Sequence, residues 1–359
     1  MCGLVGAFHI TEGRLDEVIE HLAKLNNRGH EAVGLVAGDG ITMMPFRRQG
    51  YVRDACTDEV NQWRSFASSV VRIGCNRMVG HLRYSTVGES DVGLAQPIRM
   101  ISPTFGEFFF AHNGQYPFHS ILRGELESQG HRFHTNSDSE VLAAYVASVD
   151  VPTLSEAVIE LVKHVEGAFS VIALSNTEMV AARDRFGIRP LWYSKNDEGI
   201  FFASETGGLP NSAEAKKIER GSVVSVTNGL GTINLMTTQV TDSFSSAHCI
   251  FEVLYFSRPD QRIGGSDVAS IRQVLGKMLA RHAPVSADIV CAVPDSGIPS
   301  AVGFAEELGI RFEPCAIIRN YHSVRGRSFI LPGTSNRLSA ADRKYSVSPA
   351  SVCGKKVVV

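Results

Sequence analysis

The second residue of the chain is a cysteine, in the run Met1-Cys2-Gly3-Leu4-Val5-Gly6. Removal of Met1 would leave a thiol and a free α-amine on one residue. An α-amine titrates at about 7.7–8.0, so it can take the thiol proton near neutral pH. Such a residue carries its own activating base, a role that histidine fills beside other nucleophiles. Attack on an amide also needs donors for the developing oxyanion and a clamp for the rest of the substrate. Three short stretches offer such groups. His81-Leu82-Arg83-Tyr84-Ser85-Thr86 follows an apolar turn around Val79-Gly80. His112-Asn113-Gly114 follows a strand over Glu107–Ala111, and Asn136-Ser137-Asp138-Ser139-Glu140 precedes an apolar helix. Taken singly, each has an ordinary explanation. Asn-Gly at a strand end makes a turn, Ser or Asn before a helix with Glu close behind makes a capping box, and an isolated Arg is a solvated charge.

The elements that must position these groups fall into two patterns. With 359 residues the chain has room for two domains, and 44% hydrophobic with 20% charged residues is a globular composition. From Cys2 to about Gln239, short apolar runs are bounded by Gly, Asn and Asp: Gly3–Ile10, Glu107–Ala111, Ser170–Ala173, Met179–Arg183, Leu191–Ser194, Ile200–Ala203 and Ser222–Val226. With helical periodicity in Arg14–Asn26, Ser139–Ser148 and Ser155–Val165, they predict a strand-rich α+β domain. Ser243–Ala247 reads as a linker. Beyond it, a helix over Ser270–Arg281, an apolar run over Ala287–Val293, a helix over Ser300–Leu308 and a strand over Phe312–Ile318 predict a βαβ unit in a parallel sheet. Arg319–Lys344, rich in Arg, Ser, Gly and Asn, reads as a long mobile loop.

Composition also excludes some classes. A net charge of -2 with no basic stripe argues against a nucleic-acid partner. No apolar run approaches about 18 residues, so no membrane span is expected. The first residues lack a basic region and a cleavage site, and the seven cysteines form no C-x-x-C pair, so a reducing cytoplasm is the expected compartment.

The combination of motifs carries more than its parts. Cys2-Gly3-x-Val5-Gly6, Arg28-Gly29-His30-Glu31-Ala32-Val33-Gly34, Gly80-His81-Leu82-Arg83-Tyr84-Ser85-Thr86, His112-Asn113-Gly114 and Ser137-Asp138-Ser139-Glu140 stand in the order found in class II glutamine amidotransferases, which are N-terminal-nucleophile hydrolases. The resemblance covers residues 2–239. It implies that Cys2 is the nucleophile and its amine the base, that Asn113 and the Gly114 N–H form the oxyanion hole, and that Arg83, with Thr86 nearby, clamps the glutamine α-carboxylate. Asp138 would accept the α-ammonium. His30 departs from the family pattern, which has Gln there, and is read as a structural side chain.

A second resemblance concerns the acceptor. Cys249-Ile250-Phe251-Glu252-Val253-Leu254-Tyr255-Phe256-Ser257-Arg258-Pro259-Asp260 is similar to the interdomain segment of amidophosphoribosyltransferases. Val293-Pro294-Asp295-Ser296-Gly297 and Gly326-Arg327-Ser328-Phe329-Ile330 follow in that family's order. The resemblance implies an α+β sandwich with layers αββα over residues 2–239, a joining segment over 240–262, and a partial α/β parallel-sheet phosphoribosyltransferase domain over 263–359. It implies that glutamine and phosphoribosyl pyrophosphate (PRPP) are the substrates and 5-phosphoribosylamine the product, the first step of de novo purine synthesis. Asp295, Ser296, Gly297 and Arg327 would serve the pyrophosphate side, with magnesium accompanying PRPP, and the assembly would be a homo-oligomer. Cys249 is read as a buried structural thiol, and no iron–sulfur cluster is expected. In the family, the apolar run at Val357–Val359 leads into an acidic pair and a loop for the ribose 5-phosphate, so the chain is expected to be part of a longer protein. A stand-alone glutaminase with a docking remnant and a non-catalytic glutamine sensor remain open.

Overall fold

Successive side chains of a strand point to opposite faces, so a strand buried on both faces must lie between two apolar layers. β1 (Gly3–His9) is such a strand: Val5 and Ala7 join one buried cluster, Leu4 and Phe8 another. The computed structural model describes residues 2–9, 14–84, 92–229, 232–241, 247–321 and 334–359. It divides into two units, Met1–Cys249 and Ile250–Val359.

In the first unit, β1 is followed by α1 (Leu15–Ala23), the hairpin β2 (Ala32–Gly38) and β3 (Met43–Gln49), α2 (Val52–Ala55), α3 (Asn61–Ile73) and β4 (Arg77–Arg83). A second hairpin, β5 (Ile98–Ser102) and β6 (Gly106–Gln115), leads to α4 (His119–Ser128), α5 (Asp138–Ser148) and α6 (Leu154–His164). Next come β7 (Ala168–Ser175), β8 (Glu178–Arg183), β9 (Trp192–Lys195) and β10 (Gly199–Ala203). β11 (Lys216–Lys217), β12 (Ser222–Asn228) and β13 (Ile233–Gln239) complete the unit. Two antiparallel sheets result, in the orders β11-β9-β10-β1-β4-β2-β3 and β13-β12-β8-β7-β6-β5.

Burial follows strand parity. The first sheet is covered by α1 and α3 through Val18, Leu22, Trp63 and Phe66. The second is covered by α5 and α6 through Val141, Leu142, Val158 and Leu161. Phe8, Val79, Phe109, Ile172 and Phe202 fill the space between the sheets. Each fully buried Phe of this kind is worth about 1.5–3 kcal/mol. The layers are therefore αββα, as the sequence implied.

Two expectations about the site's strands are corrected. Val79-Gly80 is not a turn but the middle of β4, paired on both sides with β1 and β2. His112-Asn113-Gly114 does not follow its strand but continues it, with His112 opposite Val171 and Gly114 opposite Phe169. A partner strand supplies ladder bonds that outweigh the local turn preference of Asn-Gly.

The second unit has a short hairpin, β14 (Arg262–Ile263) and β15 (Ser266–Asp267), then α7 (Val268–His282), capped by the Asp267 side chain. β16 (Ile289–Val290), α8 (Ile298–Leu308) and β17 (Arg311–Phe312) form the expected βαβ unit, with β16 and β17 parallel. The single strand expected over Phe312–Ile318 is instead two: β17, and β18 (Ile317–Arg319) in another sheet. Pro314 has no N–H for a continued ladder, which breaks the run. The segment expected to be a loop over Arg319–Lys344 contains α9 (Thr334–Lys344), and β19 (Tyr345–Val347) then pairs antiparallel with β18. Residues 322–333, with Arg327, and most of the expected linker lie outside the described residues. After α10 (Pro349–Val352), β20 (Val357–Val358) pairs parallel with β16. Cys249, the last residue of the first unit, is half-buried rather than buried and belongs to none of the hydrophobic clusters. Among the described residues no helix is long and apolar enough to cross a membrane.

Candidate active site

Strand parity brings the expected site residues together. In β1 the even-numbered Leu4 and Phe8 face the space between the sheets, and in β4 and β6 the odd-numbered Val79, Phe109 and Ala111 do. By the same alternation Cys2, Arg83 and Asn113 turn to that space. Gly3 lies opposite Leu82, so Cys2 comes level with Arg83 at the end of the ladder. The Cys2 Sγ is 4.0 Å from the Tyr84 carbonyl.

The Cys2 N–H donates to Asn113 Oδ1 at 2.9 Å. Because the oxygen branch of this amide faces Cys2, the Nδ2 branch points elsewhere, and Asn113 Nδ2 is buried with no partner among the described residues. Leaving a buried donor unmet costs about 1–3 kcal/mol, so such groups are retained where a ligand completes them. Gly114 has no room for a side chain: a Cβ there would run into Ala168 O and His112 Nε2.

Behind Cys2 lies an ion pair that sequence reasoning missed. Arg28 donates through Nε to the Cys2 carbonyl at 3.1 Å and through Nη1 to Glu205 Oε1 at 2.7 Å. Both side chains of the pair are fully buried. Asn27 Nδ2 reaches the same carboxylate oxygen at 3.0 Å. Next to it, Gly29 passes so close to β4 that a Cβ would lie 2.6 Å from the Leu82 carbonyl. Arg28 stands in a motif that points to the family, whereas Glu205 follows the apolar run Ile200–Ala203, and their opposite charge was the one signal that could have joined them. His30 stacks on Tyr51 with ring centroids 5.3 Å apart, in keeping with a structural role.

Arg83 is largely buried, donates to the Leu94 carbonyl at 3.0 Å and has its Nε 3.9 Å from Glu31. Thr86 lies outside the described residues. Asp138 is the first residue of α5, where Ser137 caps the helix by accepting the Ser139 N–H. The Asp138 carboxylate accepts the Tyr116 N–H at 2.9 Å, which ties it to the end of β6. Glu140 does not close a capping box on Ser137 but accepts the His134 and Thr135 N–H groups, both at 2.8 Å. His112 Nδ1 lies 2.8 Å from Ser139 Oγ. Burial pushes His112 down to about 4 and its neighbour His81 down to about 3, so both are neutral at pH 7. Burial also pushes the thiols of Cys56 and Cys75 up, to about 12 and about 11, far from the thiolate form.

In the second unit, Asp295, Ser296 and Gly297 form the turn between β16 and α8, with Gly297 at the cap position of the helix. Asp295 accepts from Arg319 and from the Tyr321 hydroxyl at 3.0 Å. The Tyr345 hydroxyl donates to the Pro294 carbonyl at 3.2 Å. These three partners of the loop were not singled out from sequence. Ser296 and Gly297 also line a mostly apolar cavity of about 960 Å³, with Phe251, Phe304 and Leu338 on its walls and Arg337 and Lys344 among its polar groups. Among the described residues no cluster of three or more His, Cys, Asp or Glu side chains is placed to hold a metal.

A glutamine amidotransferase domain model matches residues 81–211. The chain is 33% identical to the amidophosphoribosyltransferase of Methanocaldococcus jannaschii, over all of this chain and 77% of that protein. To the amidophosphoribosyltransferase of Bacillus subtilis it is 32% identical, over 94% of this chain and 68% of the relative. The solved structure of the B. subtilis glutamine PRPP amidotransferase, complexed with ADP and GMP, superposes with a TM-score of 0.82 at 31% identity, covering 99% of this chain and 74% of that one.

Proposed function

Because the chain belongs to the amidophosphoribosyltransferase family, we propose that it makes 5-phosphoribosylamine from glutamine and PRPP, with the ammonia released at Cys2. The observation that carries the glutaminase half is the single amide of Asn113, whose Oδ1 holds the Cys2 nitrogen while its buried Nδ2 stays unmet. One side chain thereby positions the base and presents an oxyanion donor.

The chemistry runs as follows. The Cys2 α-amine takes the thiol proton, and Sγ bonds to the glutamine amide carbon. The carbonyl electrons move onto oxygen, where Asn113 Nδ2 and the Gly114 N–H stabilise them. The amine returns the proton to the leaving nitrogen as the C–N bond breaks, and ammonia departs. Water then attacks the γ-glutamyl thioester, releasing glutamate and restoring the thiol. Arg83 holds the α-carboxylate through its guanidinium fork and Asp138 the α-ammonium. Ammonia attacks the ribose C1 of PRPP, forming the C–N bond as pyrophosphate leaves.

We assign glutamine hydrolysis to residues 2–239 and part of the phosphoribosyltransferase domain to residues 263–359, joined by 240–262. Asp295, Ser296, Gly297 and Arg327 are assigned to the pyrophosphate side. A hard divalent ion such as magnesium suits diphosphate oxygens, and Asp295 is the carboxylate of that loop. The reading includes a cytoplasmic homo-oligomer.

Pyrophosphate release from PRPP by the full-length protein tests the function. The unaltered protein is expected to work with either glutamine or ammonia, and Cys2→Ala with ammonia alone. Glutamine-dependent release by pure Cys2→Ala protein would overturn the assignment of the nucleophile.

A further inference from the structure

Gln96 joins parts of the site that come from different elements. Its Oε1 accepts the His112 N–H at 2.6 Å, one residue before Asn113. Its Nε2 donates to Ser139 Oγ at 3.0 Å, one residue after Asp138. Two residues upstream, the Leu94 carbonyl takes the Arg83 guanidinium. The segment 94–96 therefore touches the neighbours of the oxyanion group, the ammonium acceptor and the carboxylate clamp at once.

The arrangement has one sense only. A flipped Gln96 amide would set an NH2 against the His112 N–H, donor against donor. With Ser139 Oγ accepting from Gln96, its own proton is directed to His112 Nδ1 at 2.8 Å or to Asp138 Oδ1 at 3.4 Å. Gln96 is 5% exposed and Ser139 4%, so bulk water is not at hand to replace either bond. The backbone of Gln96 is pinned as well, since its carbonyl packs on Gly34 where a Cβ has no room.

We propose that Gln96 is a positioning residue for glutamine recognition, which ties Ser139 to the strand at His112 and so fixes Asp138 where it holds the α-ammonium, while the strand itself keeps its register through its pairing with β7. The proposal rests on the glutaminase reading above. Gln96 touches none of the reacting atoms and acts through His112 and Ser139.

The test is steady-state glutamine hydrolysis by Gln96→Met and by the milder Ser139→Ala, with inhibition by 5-amino-5-oxopentanoate, which is glutamine without its α-ammonium. Both variants are expected to raise KM for glutamine by about tenfold, the loss of one or two neutral hydrogen bonds. kcat should stay within about threefold, because the oxyanion donors remain, and the inhibition constant of the des-amino analogue should likewise hold within about threefold. An equal weakening of both ligands would mean general loosening and overturn the proposal, as would a fall in kcat alone or an unchanged KM. If the unaltered protein hydrolyses no glutamine, the glutaminase reading falls and takes the proposal with it. If it does and the variants match it, the proposal alone falls.

Discussion

Replacing Glu205 by Gln removes a charge while keeping nearly the same shape. The pair it breaks has Arg28 Nη1 2.7 Å from Glu205 Oε1, with both side chains at 0% exposure. A glutamine oxygen can still accept from Arg28 and Asn27, but the negative charge 2.7 Å from the buried guanidinium is gone. Breaking a buried pair from one side costs about 3–5 kcal/mol. For a unit the size of Met1–Cys249, each kcal/mol moves the melting point by about 2–4 °C, so a drop of roughly 6–20 °C is expected. Both tryptophans of the chain, Trp63 and Trp192, lie in this unit, so tryptophan fluorescence during heating reads its unfolding selectively. Glutamine hydrolysis should fall as well, since Arg28 also holds the Cys2 carbonyl. The double variant Arg28→Met, Glu205→Leu should recover much of the melting temperature, because an apolar pair of similar volume avoids the cost of desolvating two charges. It should not recover hydrolysis. A shift below about 2 °C for Glu205→Gln would refute the reasoning, as would full activity in the double variant.

Further outcomes follow from the same geometry. Arg83→Lys and Asp138→Asn should each raise KM for glutamine, by a loss on the order of 1.5–3 kcal/mol for a charge-assisted contact. Asn113→Ala should instead lower kcal-scale catalysis at saturation, with kcat down roughly 10²–10³-fold; the reverse pattern in steady-state kinetics would exchange the clamp and oxyanion roles. Burial holds His9, His21, His81 and His112 below the ordinary histidine value. The unfolded chain therefore binds protons near pH 6.5 that the folded unit refuses until about 4 at His21 and His112 and about 3 at His81. Stability should be at its plateau above pH 6.5 and decline as pH falls below it. Urea midpoints against pH should show that decline, and His81→Gln should flatten it; an unchanged slope would remove His81 from the cause.

The α+β character of the first unit was legible in its short apolar runs and helical periodicity, whereas the αββα layering came from the resemblance: β1 is apolar or glycine up to His9 and buried throughout, so strand parity assigns its two faces only once both sheets are in place. Parity would also have placed Cys2, Arg83 and Asn113 on one side, once Asn113 was taken as strand. That step was hidden, because Asn-Gly is a turn by local preference and its pairing with Ser170 and Phe169 comes from a distant segment. Gln96 was invisible for the same reason. Its partners lie 16 and 43 residues away, and a lone glutamine has no periodicity to betray it. Arg28 and Glu205 meet across 177 residues. In the second unit the βαβ order was legible from the spacing of apolar runs, whereas the break at Pro314 and the helix Thr334–Lys344 were not read. The latter is polar along most of its length, and among its described side chains only Ala340 and Lys344 are buried.

The central claim is that Cys2, with Met1 removed, is the nucleophile that attacks glutamine. A glutamine analogue with a diazomethyl ketone in place of its amide alkylates an activated thiol at the site and loses nitrogen, and peptide mass spectrometry locates the adduct. The account predicts one adduct, on the Sγ of Cys2, in a peptide that begins at Cys2 with a free α-amine. An adduct on any other of the seven cysteines, or on Cys2 with Met1 still attached, would contradict it.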